Sequence, residues 1–383
     1  MKLCEPNNCL GCLACYNACP KGAIQMRYTD HAVLVPSINQ ETCIECGLCQ
    51  KVCPVITPNI KPNQVIKCYA AWSTDRRLLE NAASAGVVTT LGYHTIQNGG
   101  MVFGARFDDK RLVITGASTL KELLEFQGSR YVHAFVGQSF IEIKRYLDSG
   151  RRVMFTGTPC QVHGLRQYLQ KDYSNLLTVD LVCHGVAPMS YLNEYLSEKG
   201  IDDYDNVVFR GKHGMSLVVS KDENILYRKY KFVDLFYMAY LKGLLSRENC
   251  YQCPYSSPKR YGDVTVGDFW GLERTSDMPN HPFISVLFTN TAKGEQWINE
   301  LRDSIQCVEK PLEMALKKNG QLNRPCTRHR GRDRFLALYP DRGLVKSIKK
   351  SPFYRDYLKR AWRYRALLFA SNLKHFITHG TSV

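Results

Sequence analysis

The pattern of apolar and polar positions changes character twice along the chain. Residues 1–56 lack long apolar runs. Within them, 23–26 and 32–35 flank Thr29-Asp30 and predict one short hairpin between two cysteine-rich loops. Pro54, Pro58 and Pro62 then fall within nine residues, a density that continues neither helix nor sheet and predicts a stiff linker over 57–67. From Cys68 onward, short apolar runs alternate with helical spacing. Strands are expected at 69–73, 101–107, 112–117, 152–156 and 176–182, and again at 207–210, 217–220, 264–266 and 284–288. Helices are expected at 87–96, 120–126, 139–147, 161–169 and 188–198. This alternation predicts a mixed α/β fold with at least one parallel βαβ unit. Near the end, Ser351-Pro352 opens a further helix on which Phe353, Tyr357, Ala361 and Tyr364 recur at helical spacing.

Composition adds size and a charge asymmetry. The 383 residues, 44% hydrophobic, suffice for two or three compact units. The formal charge is +16, but residues 324–374 hold fifteen Lys/Arg against three Asp, so the charge belongs to the tail. There Arg355, Lys359, Arg360, Arg363 and Arg365 share a helix with Trp362, Leu367, Leu368 and Phe369. Such a helix is expected either to lie on an anionic membrane surface or to pack by one face on its own body, with nucleic acid an unlikely partner. The opening MKLCEPNNCLGC has no apolar signal core, and no run reaches transmembrane length. The expected location is the cytoplasm, whose reducing poise keeps thiolates intact, with peripheral attachment at the inner face of the membrane.

The candidate chemistry lies in the sixteen cysteines. Cys9-x2-Cys12-x2-Cys15-x3-Cys19-Pro20 is repeated 34 residues later as Cys43-x2-Cys46-x2-Cys49-x3-Cys53-Pro54. This spacing wraps a four-iron, four-sulfur cube, and the doubled run reads as a two-cluster bacterial-type ferredoxin module. In that arrangement the fourth cysteine crosses over, giving Cys9, Cys12, Cys15 and Cys53 to one cube and Cys43, Cys46, Cys49 and Cys19 to the other. Cys160 follows one expected strand and Cys183 another. If those strands are parallel neighbours, both thiols emerge at one sheet edge, where Cys250-x2-Cys253 could complete a third cube. On spacing alone, two buried small side chains and half a zinc site account for these four equally well.

A series of stretches resembles the family of beta subunits found in coenzyme F420 (deazaflavin) hydrogenases and dehydrogenases. In order they are Ser84-Ala85-Gly86-Val87-Val88, Gly128-Ser129-Arg130-Tyr131-Val132, Gly157-Thr158-Pro159-Cys160-Gln161, Asp180-Leu181-Val182-Cys183-His184-Gly185, the Cys250/Cys253 pair and Gly267-Asp268-Phe269-Trp270-Gly271. The resemblance spans about 68 to 323 and leaves the tail outside. It implies a flavoprotein holding FAD beside a third [4Fe-4S] cluster ligated by Cys160, Cys183, Cys250 and Cys253. No Gly-x-Gly-x-x-Gly occurs, so the FAD pyrophosphate needs another cradle. Ser84, read as the N-cap of the 87–96 helix, and Ala85 and Gly86 supply one candidate; the family often has glycine where this chain has Ala85. Ser129, Arg130 and Tyr131 are further candidates, with Thr158, and with Lys212 in the Arg210–His213 segment, for which a solvated turn is an equal reading.

The organisation expected is therefore 1–56 a two-cluster ferredoxin module, 57–67 a linker, 68–323 a larger flavoprotein-like α/β domain, and 324–383 a basic helical tail. The expected function is an oxidoreductase passing electrons between a two-electron carrier or substrate, through FAD and clusters, and a one-electron acceptor. The partner is a redox protein or small redox carrier. The alternative is an electron-transfer module that docks to a partner enzyme without a substrate site of its own. No catalytic residue is identified.

Overall fold

The computed structural model describes residues 1–276, 278–279 and 283–379, with side chains of the last helix described to residue 369; residues 380–383 of the expected tail lie outside the described residues. The front of the chain forms the expected hairpin, β1 (Ile24–Tyr28) antiparallel to β2 (Leu34–Ile38), between two short helices, Ala14–Ala18 and Leu48–Lys51.

The remainder is built on a mixed sheet of eight strands. They are β3 (Lys67–Ser73), β4 (Met101–Asp108), β5 (Arg111–Ala117), β6 (Val153–Gly157), β7 (Leu176–Leu181), β11 (Val264–Asp268), β12 (Ser285–Thr289) and β13 (Ile305–Glu309), in the spatial order β13-β3-β12-β11-β7-β6-β4-β5. The four central strands β11, β7, β6 and β4 are parallel, and antiparallel pairs close both flanks. Helix Ser139–Asp148 returns the chain from β5 to β6, and helix Pro159–Leu169 crosses from β6 to its parallel neighbour β7. β6 and β7 are buried throughout except at the last residue of β7, as strands covered on both faces should be. A separate antiparallel sheet, β8 (Asn206–Val208), β9 (Ser216–Lys221) and β10 (Asn224–Tyr230), stands beside the main one. β10 and β13 carry mostly exposed or half-buried residues, which is why no apolar run announces them.

Three expectations change. Ser84 does not cap the Val87–Gln97 helix. Gly86 occupies that position in the left-handed region (φ +73°), and Ser84 instead bonds its hydroxyl to that of Ser285 at 3.1 Å. The 57–67 segment, expected as a stiff linker, is also bonded to the α/β body. Gln167 Nε2 donates to Thr57 O (2.5 Å), Asn63 and Arg260 exchange backbone bonds, and Ile66 N–H donates to Thr289 O. Leu10, Cys12, Leu13 and Val52 of the front share one core with Phe140, Val162 and Leu165, so the two cysteine loops are fastened to the α/β body. Nor is 324–383 a tail from its start, because Phe335, Leu344, Ile348 and Phe353 are wholly buried in that same core. On the Phe353–His379 helix, Trp362, Leu367, Leu368 and Phe369 are exposed.

Candidate metal centres and an adjoining cavity

The two front loops repeat a backbone as well as a spacing. In the first, Gly11 (φ +69°) and Leu13 (φ +59°) are left-handed; in the second, the corresponding Glu45 (φ +54°) and Gly47 (φ +76°) are too. The left-handed conformation recurs at matched positions, and each loop holds one of the two with a strained non-glycine residue, Leu13 in the first and Glu45 in the second. The alternation turns successive N–H groups inward, a concavity suited to an anionic cluster. The N–H groups of Gly11, Ala14, Tyr16 and Gln50 accordingly favour the thiolates of Cys9, Cys12, Cys15 and Cys49, and Ala23 N–H donates to Cys19 Sγ at 3.2 Å. Cys9, Cys12, Cys15 and Cys53 line one small enclosed cavity, and Cys46 and Cys19 are the thiols whose charge Cys49 feels. Cys4, a residue the spacing does not single out, lines the same cavity beside Cys9 and Cys53.

Cys160, Cys183, Cys250 and Cys253 converge as well. β6 and β7 are parallel neighbours, so the loops after them open at one edge, and Cys250 and Cys253 arrive on the Glu248–Gln252 turn. Desolvation pushes the Cys160 thiol up to about 11 and Cys250 up to about 12, while Cys183 goes well above its ordinary value; Cys183 is raised further by the charges of Cys250, Cys160 and Cys253. Such thiols are protonated when free and become ligands by losing protons to a metal. Cys326 is a fifth sulfur here, its Sγ 3.4 Å from Cys250 O. No group of three or more His, Cys, Asp or Glu among the described residues is placed to hold a metal ion.

The front and third sets meet at helix Pro159–Leu169. Cys160 lies in its first turn, and one turn later Gly164 abuts the front loop: a Cβ there would lie 2.7 Å from Cys12 Cβ and 2.9 Å from its sulfur. Tyr255 feels the charges of Cys160, Cys12 and Cys253 together. Its hydroxyl is 2.9 Å from Nδ1 of His163, whose ring stacks on Tyr261 at 3.9 Å. Burial holds His163 down at about 4. The unfolded chain therefore binds this proton below about pH 6.5 while the folded one does not, so stability is full above that pH and falls as acid is added. We expect a loss of about 1.4 kcal/mol per pH unit between pH 6.5 and 4.5 from this residue. Denaturant melts should show His163→Gln with a correspondingly flatter slope.

Beside the third set lies a cavity of about 490 Å³, within the range of cofactor sites. Its walls include the carboxyl ends of β6, β7 and β11, the start of helix Val87–Gln97 and the 128–134 loop. Ser84, Gly86, Ser129, Arg130, Tyr131, Thr158 and Cys183 line it; Ala85 and Lys212 do not. Ala85 is fully buried, donating its N–H to Ser285 Oγ at 3.2 Å, and Lys212 lies on the turn beside the Gly211–Gly214 bridge. Arg130 is folded onto its own loop, donating to the carbonyls of Glu125, Phe126 and Gln127, and Thr158 is engaged with Gln161 Oε1 and Cys160 Sγ. The cations that face the cavity are Arg210, paired with Asp268 and bonded to Ala83 O, and Lys231. Tyr131 and Tyr240 stack at 4.8 Å to form an aromatic wall. Asp263 turns away from the cavity to bind Thr178.

Comparison with known proteins follows this division. Residues 150–314 match the family model for coenzyme F420 hydrogenase/dehydrogenase, the C terminus of the beta subunit, and residues 8–56 match that for a 4Fe-4S dicluster domain. The chain is 24% identical over 329 residues to an uncharacterized protein of Methanocaldococcus jannaschii, covering 76% of this chain and 82% of that one. It is 22% identical over 347 residues to a subunit of the F(420)H(2) dehydrogenase of Methanosarcina mazei, covering 82% and 90%. A chain from the F420-reducing [NiFe] hydrogenase complex of Methanosarcina barkeri superposes with a TM-score of 0.45 at 17% identity, covering 70% of this chain and 97% of that one.

Proposed function

We propose that this chain, which matches the coenzyme F420 hydrogenase/dehydrogenase beta-subunit family over residues 150–314 and a 4Fe-4S dicluster domain over residues 8–56, is an iron–sulfur flavoprotein oxidoreductase. The observation that carries the reading is the position of Cys183, a wall residue of the cavity and a member of the third thiol set. Cys160, Cys183, Cys250 and Cys253 would hold a third [4Fe-4S] cluster, placed between the cavity and the front loops. FAD in the cavity would supply the exchange of a two-electron hydride for single electrons. The chain's own part is to hold and orient. The free first-turn N–H groups of helix Val87–Gln97 face the cavity and suit a pyrophosphate. Lys231 and Arg210 supply positive charge, and Tyr131 a stacking face. A deazaflavin-like carrier or another organic donor would take the open side. A relative that is one part of a dehydrogenase favours a chain working against a redox partner protein.

Anaerobic purification followed by iron, sulfide and flavin assays tests this reading. We expect about twelve irons and one flavin per chain, and a Cys160→Ala protein with about eight irons and its front clusters intact. Unchanged iron in that variant would return Cys160 to an ordinary buried thiol.

The last helix carries a second, separable proposal. Phe353 and Tyr357 fasten its start to the body, while Trp362, Leu367 and Phe369 remain 69–71% exposed among arginines. We propose that this end lies on anionic membrane surfaces, each cation contributing about 1 kcal/mol. Because 324–352 is core, the test is a Trp362→Ala/Phe369→Ala protein. Co-sedimentation with anionic vesicles should fall in the variant and, for the native chain, fall with salt. Equal sedimentation with neutral vesicles, or none, would leave the helix a packing element only.

A further inference from the structure

Arg247 is among the largest fully buried side chains of the protein. It belongs to the α/β body, three residues before Cys250, and its backbone N–H donates to Val186 O beside the third thiol set. Its guanidinium reaches the other way. Nη2 donates to Cys9 O at 3.1 Å and Nη1 to Leu34 O at 3.2 Å, both in the front module. Arg260 and Arg210, two other buried arginines beside this region, each face an aspartate. Arg247 has no carboxylate partner among the described residues, and its Nε bonds to nothing there. A buried cation without a counter-ion costs several kcal/mol, so a negative group is expected close by. The groups at hand are sulfurs: Nη2 also lies 3.2 Å from where a Cβ on Gly11 would stand, inside the Cys9–Cys12 loop, and Arg247 itself precedes Cys250 by three residues.

We propose that Arg247 is the shared counter-charge of the two cysteine sites it lies between, holding both reduction potentials up and close to one another. A cube bound by four thiolates is net negative and gains one further negative charge with each electron. A fixed cation beside it therefore favours the reduced state, and charge is among the levers that set such potentials. In a water-excluded position the effect is not screened by solvent or salt as a surface lysine's would be. The set of Cys19, Cys43, Cys46 and Cys49 has no such buried cation among the described residues, and Cys46 is exposed. The protein would thus contain two matched clusters and one set independently. This rests on the third-cluster reading only for the Cys160 site; the argument for the Cys9 site stands without it.

The test is an EPR-monitored potentiometric titration of the full-length anaerobic protein, wild type against Arg247→Met and Arg247→Lys, with iron assayed in each. In Arg247→Met two cluster signals should shift to lower potential by at least about tenfold in the reduction equilibrium, about 59 mV for one electron, while the third stays in place. Arg247→Lys, which keeps the charge without the fork, should stay near wild type. If the Met variant loses iron at both sites and the Lys variant keeps it, the charge is needed to gather the thiolates, which sustains the proposal. Full iron with unshifted potentials in Arg247→Met would overturn it. So would equal shifts in Met and Lys, or loss of iron in both, because Arg247 would then be a strut joining two parts of the fold. A wild type with two clusters would remove the third site, yet a shift confined to the Cys9 cluster would still decide the role of Arg247.

Discussion

A Val88→Glu protein is expected to fold, keep its iron and emerge without flavin. Val88 lies in the first turn of helix Val87–Gln97 and lines the cavity, half-buried. A carboxylate there is favourable to the helix itself, since the first turn is its positive end. Toward a pyrophosphate the same carboxylate is repulsive at the point where the anion would dock. Gly86 is a poorer place for the experiment: at φ +73° any side chain is strained, and a Cβ would meet Ser73 and Leu79 at 3.1 Å. Flavin release by acid precipitation and absorbance gives the answer. Full occupancy in a folded Val88→Glu protein would put the cofactor elsewhere.

The second large effect is expected at Asp180. Its carboxylate is fully buried and accepts from Arg260 Nη2 (2.8 Å) and Nε (3.0 Å), from Gly262 N–H (2.8 Å) and from Thr265 Oγ1 (2.7 Å). Arg260 in turn donates to the carbonyls of Tyr255, Ser257 and Leu181. The loop that brings Cys253 to the third site is thus hung from strand β7 through one ion pair. Removing one partner of such a pair strands the other, at a cost of about 3–5 kcal/mol. Asp180→Ala should show this loss in denaturant melts and should also lose iron from the third site first. A melt within about 1 kcal/mol of wild type would mean that Arg260 finds another partner.

What can be read in advance follows from how each feature is encoded. Cys9 to Cys53 are held by two contiguous loops, so their spacing along the chain is also their geometry. The strands before Cys160 and Cys183 are visible as apolar runs, and their parallel pairing is what brings those two thiols together. Arg247, Tyr255, Cys4 and Cys326 are invisible for the opposite reason: each acts across a fold contact, and nothing in its neighbours along the chain marks it. Ser84 is misread because of one feature of the backbone, since a serine before a helix looks like a cap unless the left-handed glycine after it is known. Arg130 looks like a phosphate ligand because arginine in a glycine-serine loop often is one; here Nη1 and Nη2 donate to the loop's own carbonyls, and only the buried Nε has no partner among the described residues. Lys212 does not line the cavity, whereas Arg210, two residues before it, does.

Helix Pro159–Leu169 has a consequence for electron traffic. It would present Cys160 to the proposed third cluster, and four residues later it sets a bare backbone, at Gly164, against Cys12 of the front loop. Residues four apart lie on one face, separated by about 6 Å of rise. The gap between the centres is therefore gauged by a single helical turn, the stiffest length a polypeptide offers, and not by a loop. Gly164 is the zero mark of the gauge: even one methyl group there would reset it.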